Sequence, residues 1–500
     1  MELLLAIDMG TTHIKVGTFS LDGKLHSLEM ERTKTISLGS GSAVYDPEEL
    51  WNCVTSILSK TTNKLNPEDR IISVSVASMG EAGLFIGQDG KPLTPIITWF
   101  DVRGKETMEE WYEKISPEDC FSIAGLNYNY IYSVFKMLWV KKHQRDAFAK
   151  AEKWLCVPDY VYYCLTGEYA TDYSIASRTM LFDVRNCKWS AKLLELAEIN
   201  QELMPTPFPS GTVIGTVTGK VAQETGLPVG TPVVAGGHDH ICGAFAAGVI
   251  EPGSVLDSSG TAESLIAAFS MVPELDMSAF QGFNVGCHVV PGLHYVQGGV
   301  DSSGISFDWF RQQFDEKMDY KDLEELARTA EPGSQGVVFV PHLRGGSPPV
   351  RDPYSKACFL GLRDYHTRAD LIRSIHEGLS LEVTLILHNM EQVLGLEFSE
   401  ILVVGGGTKN SLWMEIKSSV SGKPIRIPEV PEATLLGAAL LGGIGAGAFE
   451  SYQAGVEAAF RIKKQYVPDD RMQKIYGELY PAFTEVRTLA TQISRIIGEF

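Results

Sequence analysis

Leu3-Leu4-Leu5-Ala6-Ile7-Asp8-Met9-Gly10-Thr11-Thr12-His13-Ile14-Lys15 opens the chain with an apolar run, an acid, a glycine and two threonines. A second apolar run, Ile14 to Phe19, follows at once, and Asp22-Gly23 supplies the next turn. The pattern predicts a hairpin whose tip can approach a phosphate. Gly10 leaves the backbone bare, Thr11 and Thr12 offer hydroxyl and N–H groups, Lys15 is counted with the tip, and Asp8 can hold the metal that accompanies nucleotide phosphates. An ordinary hairpin accounts for the same stretch. Asp257-Ser258-Ser259-Gly260-Thr261 repeats the chemistry roughly halfway along, after Ser254-Val255-Leu256 and before Leu265-Ile266-Ala267. Two such hairpins, each opening one half of the chain, point to two related lobes facing a shared cleft. A coincidence of two turns is the alternative.

Bulk properties bound the answer. The 500 residues exceed what one hydrophobic core usually supports. A hydrophobic content of 44% with 21% charged residues belongs to an ordinary globular protein. The net charge of −19 argues against nucleic acid or an anionic membrane as partner. It leaves room for a nucleotide held by a local nest of N–H groups and a metal. Eight scattered cysteines contain no C-x-x-C pair, so zinc and thioredoxin-like readings fail, and buried thiols in a reducing cytoplasm are expected. The N-terminal run is too short and lacks the basic flank of a signal peptide. Ala433 to Phe449 is apolar but short and glycine-rich, which predicts a buried helix packed closely on a neighbour rather than a membrane span.

Strands and helices alternate in both halves, an α/β pattern. In the first half strands are expected at 2–7, 14–19, 71–76 and 233–236, and helices at 47–64, 104–114, 133–151 and 158–166. A proline-rich connector, Met204 to Pro209, is expected to cross the surface. In the second half strands are expected at 254–258, 283–289, 294–298, 337–340 and 401–404, and helices at 303–315, 369–388, 411–420 and 432–446. From Ala369, apolar residues recur at helical spacing, so one face is buried.

Two further segments carry chemistry. Val233-Val234-Ala235-Gly236-Gly237-His238-Asp239-His240 ends a strand in two glycines and places an acid where a helix begins. Asp239 can take a proton from a substrate hydroxyl, or it can cap the helix. Neighbours in one turn rarely converge on an ion, which weighs against His238 and His240 as a metal pair. Ile401 to Val404 then runs into Gly405-Gly406-Gly407-Thr408-Lys409-Asn410-Ser411. Bare backbone before a helix lets a flat ring or a phosphate lie close, although a plain tight turn fits too. A P-loop, a protein-kinase motif set and a Rossmann fingerprint are all missing from the sequence.

Together these segments resemble the FGGY carbohydrate kinase family over nearly the whole chain. The resemblance rests on Ala357 to Leu362 followed by Asp370 to Glu377, which match the family's C-terminal signature without departure. The signature around Lys136-Met137-Leu138-Trp139 matches except at Ile131. The resemblance implies two ribonuclease H-like lobes of the actin-like ATPase type around a central cleft. It divides the chain into an N-terminal lobe (1–246), a C-terminal lobe (253–449) and a helical segment (450–500). Asp8, Gly10, Thr11 and Thr12 resemble the first phosphate motif, and Ser259, Gly260 and Thr261 the second. Gly405, Gly406, Gly407, Asn410 and Ser411 resemble the adenosine motif, and Asp239 falls at the catalytic base, with Asp8 and Asp239 toward the metal. Met79, Gly80 and Glu81 fall at the acceptor loop, and Trp99, Asp101 and Arg103 resemble the W-x-D-x-R segment, with His238 beside them.

The implied activity is transfer of a phosphoryl group from ATP, with Mg2+, to a small sugar or polyol in the cytoplasm, with a xylulose-like or deoxyketose-like acceptor slightly favoured. A homodimer is among the assemblies the resemblance allows. Sugar-independent ATPase, chaperone-like, phosphohydrolase and sensor readings are the alternatives.

Overall fold

The computed structural model describes residues 1–498 apart from 273, 274, 281 and 431. Its centre is a pair of mixed sheets with the same wiring. In the first, Leu25–Arg32, His13–Ser20 and Glu2–Met9 run antiparallel. Arg70–Ser78 and Pro232–His238 then add in parallel, and Val213–Thr216 closes the edge antiparallel. In the second, Leu293–Val300, Glu263–Ser270 and Val255–Ser259 run antiparallel. Ile401–Val404 and Ile425–Pro428 follow in parallel, and Ile462–Tyr466 closes that edge antiparallel. This shared order is the two-lobed actin-like architecture.

Chain halves are not packing halves. Helix Ala433–Gly445 belongs to the second half by sequence, yet its Leu435, Leu436, Ala438, Ala439 and Leu440 pack in one cluster with Leu4, Ala6, Phe19 and Ala77 of the first sheet. It also lies against helix Asp239–Ala246, so closely that a Cβ at Gly437 would stand 2.0 Å from the carbonyl oxygen of Cys242. Burial of this apolar run against protein explains its composition, and no described helix is long and apolar enough to cross a membrane. The contact fixes the start of the helix that carries Asp239.

Several expectations are corrected. The helix expected over 133–151 stops at His143, where Gln144 leaves helical geometry. After a short turn of helix, Ala151–Cys156 becomes a strand paired with Gly83–Gly87. The proline-rich connector does not run free, because Thr206–Phe208 pairs in parallel with Ala170–Asp172. The segment after Phe449 is not only helical, since Ile462–Tyr466 completes the second sheet before helix Asp470–Ile497. The helix expected over 369–388 runs longer, Arg368–Leu394, between a Thr367 capping box and left-handed Gly395.

Candidate active site

The first hairpin tip is built by strand ends. Gly10 N–H donates to the His13 carbonyl at 3.1 Å, and Thr33 N–H closes on the Thr12 carbonyl at 2.9 Å. A Cβ at Gly10 would sit 2.7 Å from the His13 oxygen, so glycine is required by the turn itself. Asp8, 9% exposed, stands at the end of this strand opposite Lys15. Burial, and then the neighbouring Asp239 carboxylate, push Asp8 up from 3.8 to about 7. A buried carboxylate whose charge is disfavoured by a second one beside it makes with that neighbour a donor set that a divalent cation would relieve. Lys15 does not project alone toward a phosphate: its Nζ lies 2.5 Å from Glu432 at the head of Ala433–Gly445, an ion pair across the two halves.

Asp239 is the first residue of its helix rather than the cap, and its Oδ1 accepts the N–H of His240 at 2.7 Å. Its side chain keeps 27% exposure, and Nε2 of His238 lies 3.5 Å from Oδ1. Burial pulls His238 down to about 4, so this ring is neutral near pH 7. The rings of His238 and His240 lie side by side, centroids 5.5 Å apart. The two preceding glycines answer to packing. A Cβ at Gly236 would meet the Val76 carbonyl at 2.1 Å, and one at Gly237 would meet Val289 at 2.5 Å.

Asp239 lines a cavity of about 190 Å³ together with Thr11, Met79, Gly80, Glu81, Trp99, Ile131, Arg178, His238, His240 and Gln297. Trp99 donates its ring N–H to Thr11 Oγ1 at 3.0 Å, which couples this wall to the first hairpin tip. Glu81, at φ 63°, accepts from Arg178 Nε at 2.7 Å, and both are buried. Nη1 of Arg178 is buried with no protein partner. Asp101 and Arg103 do not line this cavity. They form a two-pronged pair at 2.8–2.9 Å, Asp101 also accepts the Ala43 N–H, and the guanidinium lies over Trp139. Tyr132 is fully buried beneath Arg178, whereas Tyr128 and Tyr130 on the same stretch keep exposed surface.

A second cavity, of about 650 Å³, is lined by Gly260, Thr261, Gly406, Gly407 and Asn410, with Phe307 and Trp413 among its apolar walls. Gly406 meets nothing within 4 Å, so its backbone is bare toward the opening. Gly405 and Gly407 instead press on Ser259, where added Cβ atoms would lie 2.3 Å from its carbonyl and its hydroxyl oxygen. Ser259 is buried and Ser411 is held by Glu324 at 2.6 Å, so neither lines the cavity. Asn410 caps helix Ser411–Ser421 through its Oδ1, while its Nδ2 donates to Nε2 of buried His376 at 3.0 Å. The Asp370-to-Glu377 signature thus supports the glycine loop from behind.

Sequence reasoning missed Arg178, Gln297, Glu324 and Glu432. Each is an isolated polar residue in no motif, and only folding brings it to the site.

The family model of the FGGY family of carbohydrate kinases, N-terminal domain, matches residues 3–246, and that of the C-terminal domain matches 260–446. The chain is 28% identical over 498 residues to a xylulose kinase of Staphylococcus epidermidis, covering 99% of this chain and 98% of the relative. It is 26% identical over 505 residues to a gluconokinase of Bacillus subtilis, covering 99% and 97%. The crystal structure of a xylulose kinase from Rhodospirillum rubrum superposes with a TM-score of 0.91 at 26% identity, covering 99% of this chain and all of that one.

Proposed function

The chain belongs to the FGGY family of carbohydrate kinases, phosphotransferases with an alcohol acceptor, and from that premise we propose that it phosphorylates a small neutral ketose, xylulose-like or deoxyketose-like, with Asp239 as general base. The observation that carries this reading is the small polar cavity in which Asp239 meets Trp99 and the Glu81–Arg178 pair. Its volume suits a sugar rather than a larger ligand. Arg178 is already neutralised by Glu81, and Asp239 adds a second carboxylate, so an acceptor without its own negative charge fits best. Trp99 offers an apolar face to sugar C–H groups.

In this mechanism Asp239 accepts the hydroxyl proton as that oxygen attacks the terminal phosphorus in line. N–H and hydroxyl groups of Thr11, Thr12, Gly260 and Thr261 steady the transferring group, and Gly406 with Asn410 lies along the adenosine. Asp8, backed by Asp239, would hold Mg2+, which when bound balances phosphate charge. The first half, 1–246, supplies the sugar wall and the base, 253–449 supplies the nucleotide wall, and Gln297 reaches from the second into the first. Asp101 with Arg103 braces Trp139 behind the wall instead of touching the sugar. Eight unpaired cysteines support a cytoplasmic setting.

A coupled ADP-release screen across pentuloses, hexuloses, alditols and aldonates tests the reading. Release that depends strictly on a ketose is expected. Equal release without acceptor would make the protein an ATPase, and preference for an aldonate would overturn the neutral-acceptor argument.

A further inference from the structure

Away from both cavities, three soft donors converge on the seam between the halves of the chain. Cys187 lies in the turn that joins Phe182–Asp183 to Lys188–Trp189. Cys287 ends the edge strand Asn284–Cys287, and His294 lies opposite it on Leu293–Val300. One donor atom from each falls within 4.8 Å of the others. Neighbouring contacts hold the seam shut: Val285 N–H donates to the Gly125 carbonyl at 2.7 Å, and Cys287 N–H to Ser177 Oγ at 3.1 Å.

The spacing of the sulfurs excludes a disulfide and fits either two thiols in contact or two thiolates on one ion, and both sulfurs also lie within reach of the Val184 carbonyl oxygen, at 3.8 and 3.6 Å. They stand 3.7 Å apart. Two thiolates each about 2.3 Å from a tetrahedral ion are separated by about 3.8 Å, whereas bonded sulfurs lie about 2.05 Å apart. The histidine adds an independent observation. His294 is 4% exposed, and its Nε2 donates to the Val184 carbonyl at 2.7 Å. Its Nδ1 is therefore the bare nitrogen, and it is buried with no protein partner. A ring nitrogen anchored to a backbone carbonyl with the other left free is the arrangement that metal-ligating histidines adopt. Cys187 is only partly buried, which leaves a fourth position open to water.

We propose that Cys187, Cys287 and His294 form a binding site for a thiophilic divalent cation of the zinc type, with water as fourth ligand, that ties the two halves of the chain together. Binding replaces the two S–H protons, which pass to solvent; the imidazole stays neutral and no electron moves. The absence of C-x-x-C spacing concealed this cluster, because its members lie far apart in sequence.

The test uses the intact, reduced, chelator-treated protein. Zn2+ titration against a chromogenic chelator should give one equivalent per chain. Co2+ in its place should give thiolate-to-metal charge-transfer absorption together with the intense visible bands of a tetrahedral site. Cys187→Ser and Cys287→Ser should each weaken binding by more than the about 10- to 100-fold that loss of an outer-shell partner costs, and Cys53→Ser should leave it unchanged. Should a variant fail to fold, alkylation of Cys187 in the wild-type chain, read by mass spectrometry, decides: Zn2+ should slow it at least about tenfold, as ligation removes the free thiolate. Cobalt spectra without charge-transfer bands, Zn2+ binding that survives both serine substitutions, or unchanged alkylation would overturn the proposal. A Cys187–Cys287 disulfide forming under air in a chain that takes up no metal would replace it with a redox pair.

Discussion

The two hairpins that open the two halves share wiring but not chemistry. Asp8 and Asp257 occupy matching places on the first strand of each sheet, just before a glycine–threonine tip. Asp8 has Asp239 beside it, and Lys15, its cross-strand neighbour, is engaged by Glu432. Asp257 is completely buried, its Oδ2 2.5 Å from Lys417 Nζ, and the same ammonium also binds Glu263. Burial and Glu263 push Asp257 upward while Lys417 opposes them. One acid is left available for a cation, and the other has a protein cation already in place. An acid ahead of a Gly-Thr tip is thus open to a metal only where no lysine closes on it.

The largest expected effect separates the chemistry from the scaffold. Asp239→Asn should lower turnover by about 10²- to 10⁴-fold, with the melting temperature little changed. Near-normal turnover in a folded variant would remove Asp239 from the role of base. Next comes the buried side of the comparison. Lys417→Met leaves two carboxylates without their cation and should cost about 3–5 kcal/mol in urea unfolding. If that variant were no less stable than Asp8→Asn, the contrast between the two acids would fail.

The glycine loop offers a smaller effect. Gly407→Ala places a methyl against Ser259 Oγ and Trp413, and should cost about 1–3 kcal/mol as overpacking does. Gly406→Ala meets no protein atom, so thermal melting should barely move while the KM for ATP rises. Equal destabilisation by the two would show that the loop is packed throughout rather than half open.

The subtlest effect is a pH dependence. In metal-free protein Asp8 binds its proton more tightly folded than unfolded, so its contribution to stability is full below pH 3.8 and is lost as pH rises through about 7. Asp8→Asn should flatten the melting profile across that window. A profile parallel to wild type would mean that Asp8 is not desolvated as the fold implies.

Segments with strong local physics were readable before folding was considered. The hairpin at Gly10, the helix start at Ser411 and the apolar helix at Ala433 each follow from neighbours in sequence. Misreadings arose where tertiary pairing overruled local pattern. The helix expected over 133–151 ends at His143, ahead of a strand at Ala151–Cys156 that finds its partner in Gly83–Gly87, and Ile462–Tyr466 carries two lysines that an exposed edge strand accommodates. Gly236 and Gly237 read as a site feature, yet both have a packing reason.

By itself, the chain's order of residues determined two α/β lobes, the glycine tips and Asp239 as the acid at a strand-to-helix junction, because turns, caps and apolar periodicity act over a few residues. Folding alone decided that Arg178 meets Glu81, that Asp257 is consumed by Lys417, and that Cys187, Cys287 and His294 share one place. Those pairings depend on charge and ligand geometry across long separations, and short-range patterning carries no record of which distant side chain will arrive.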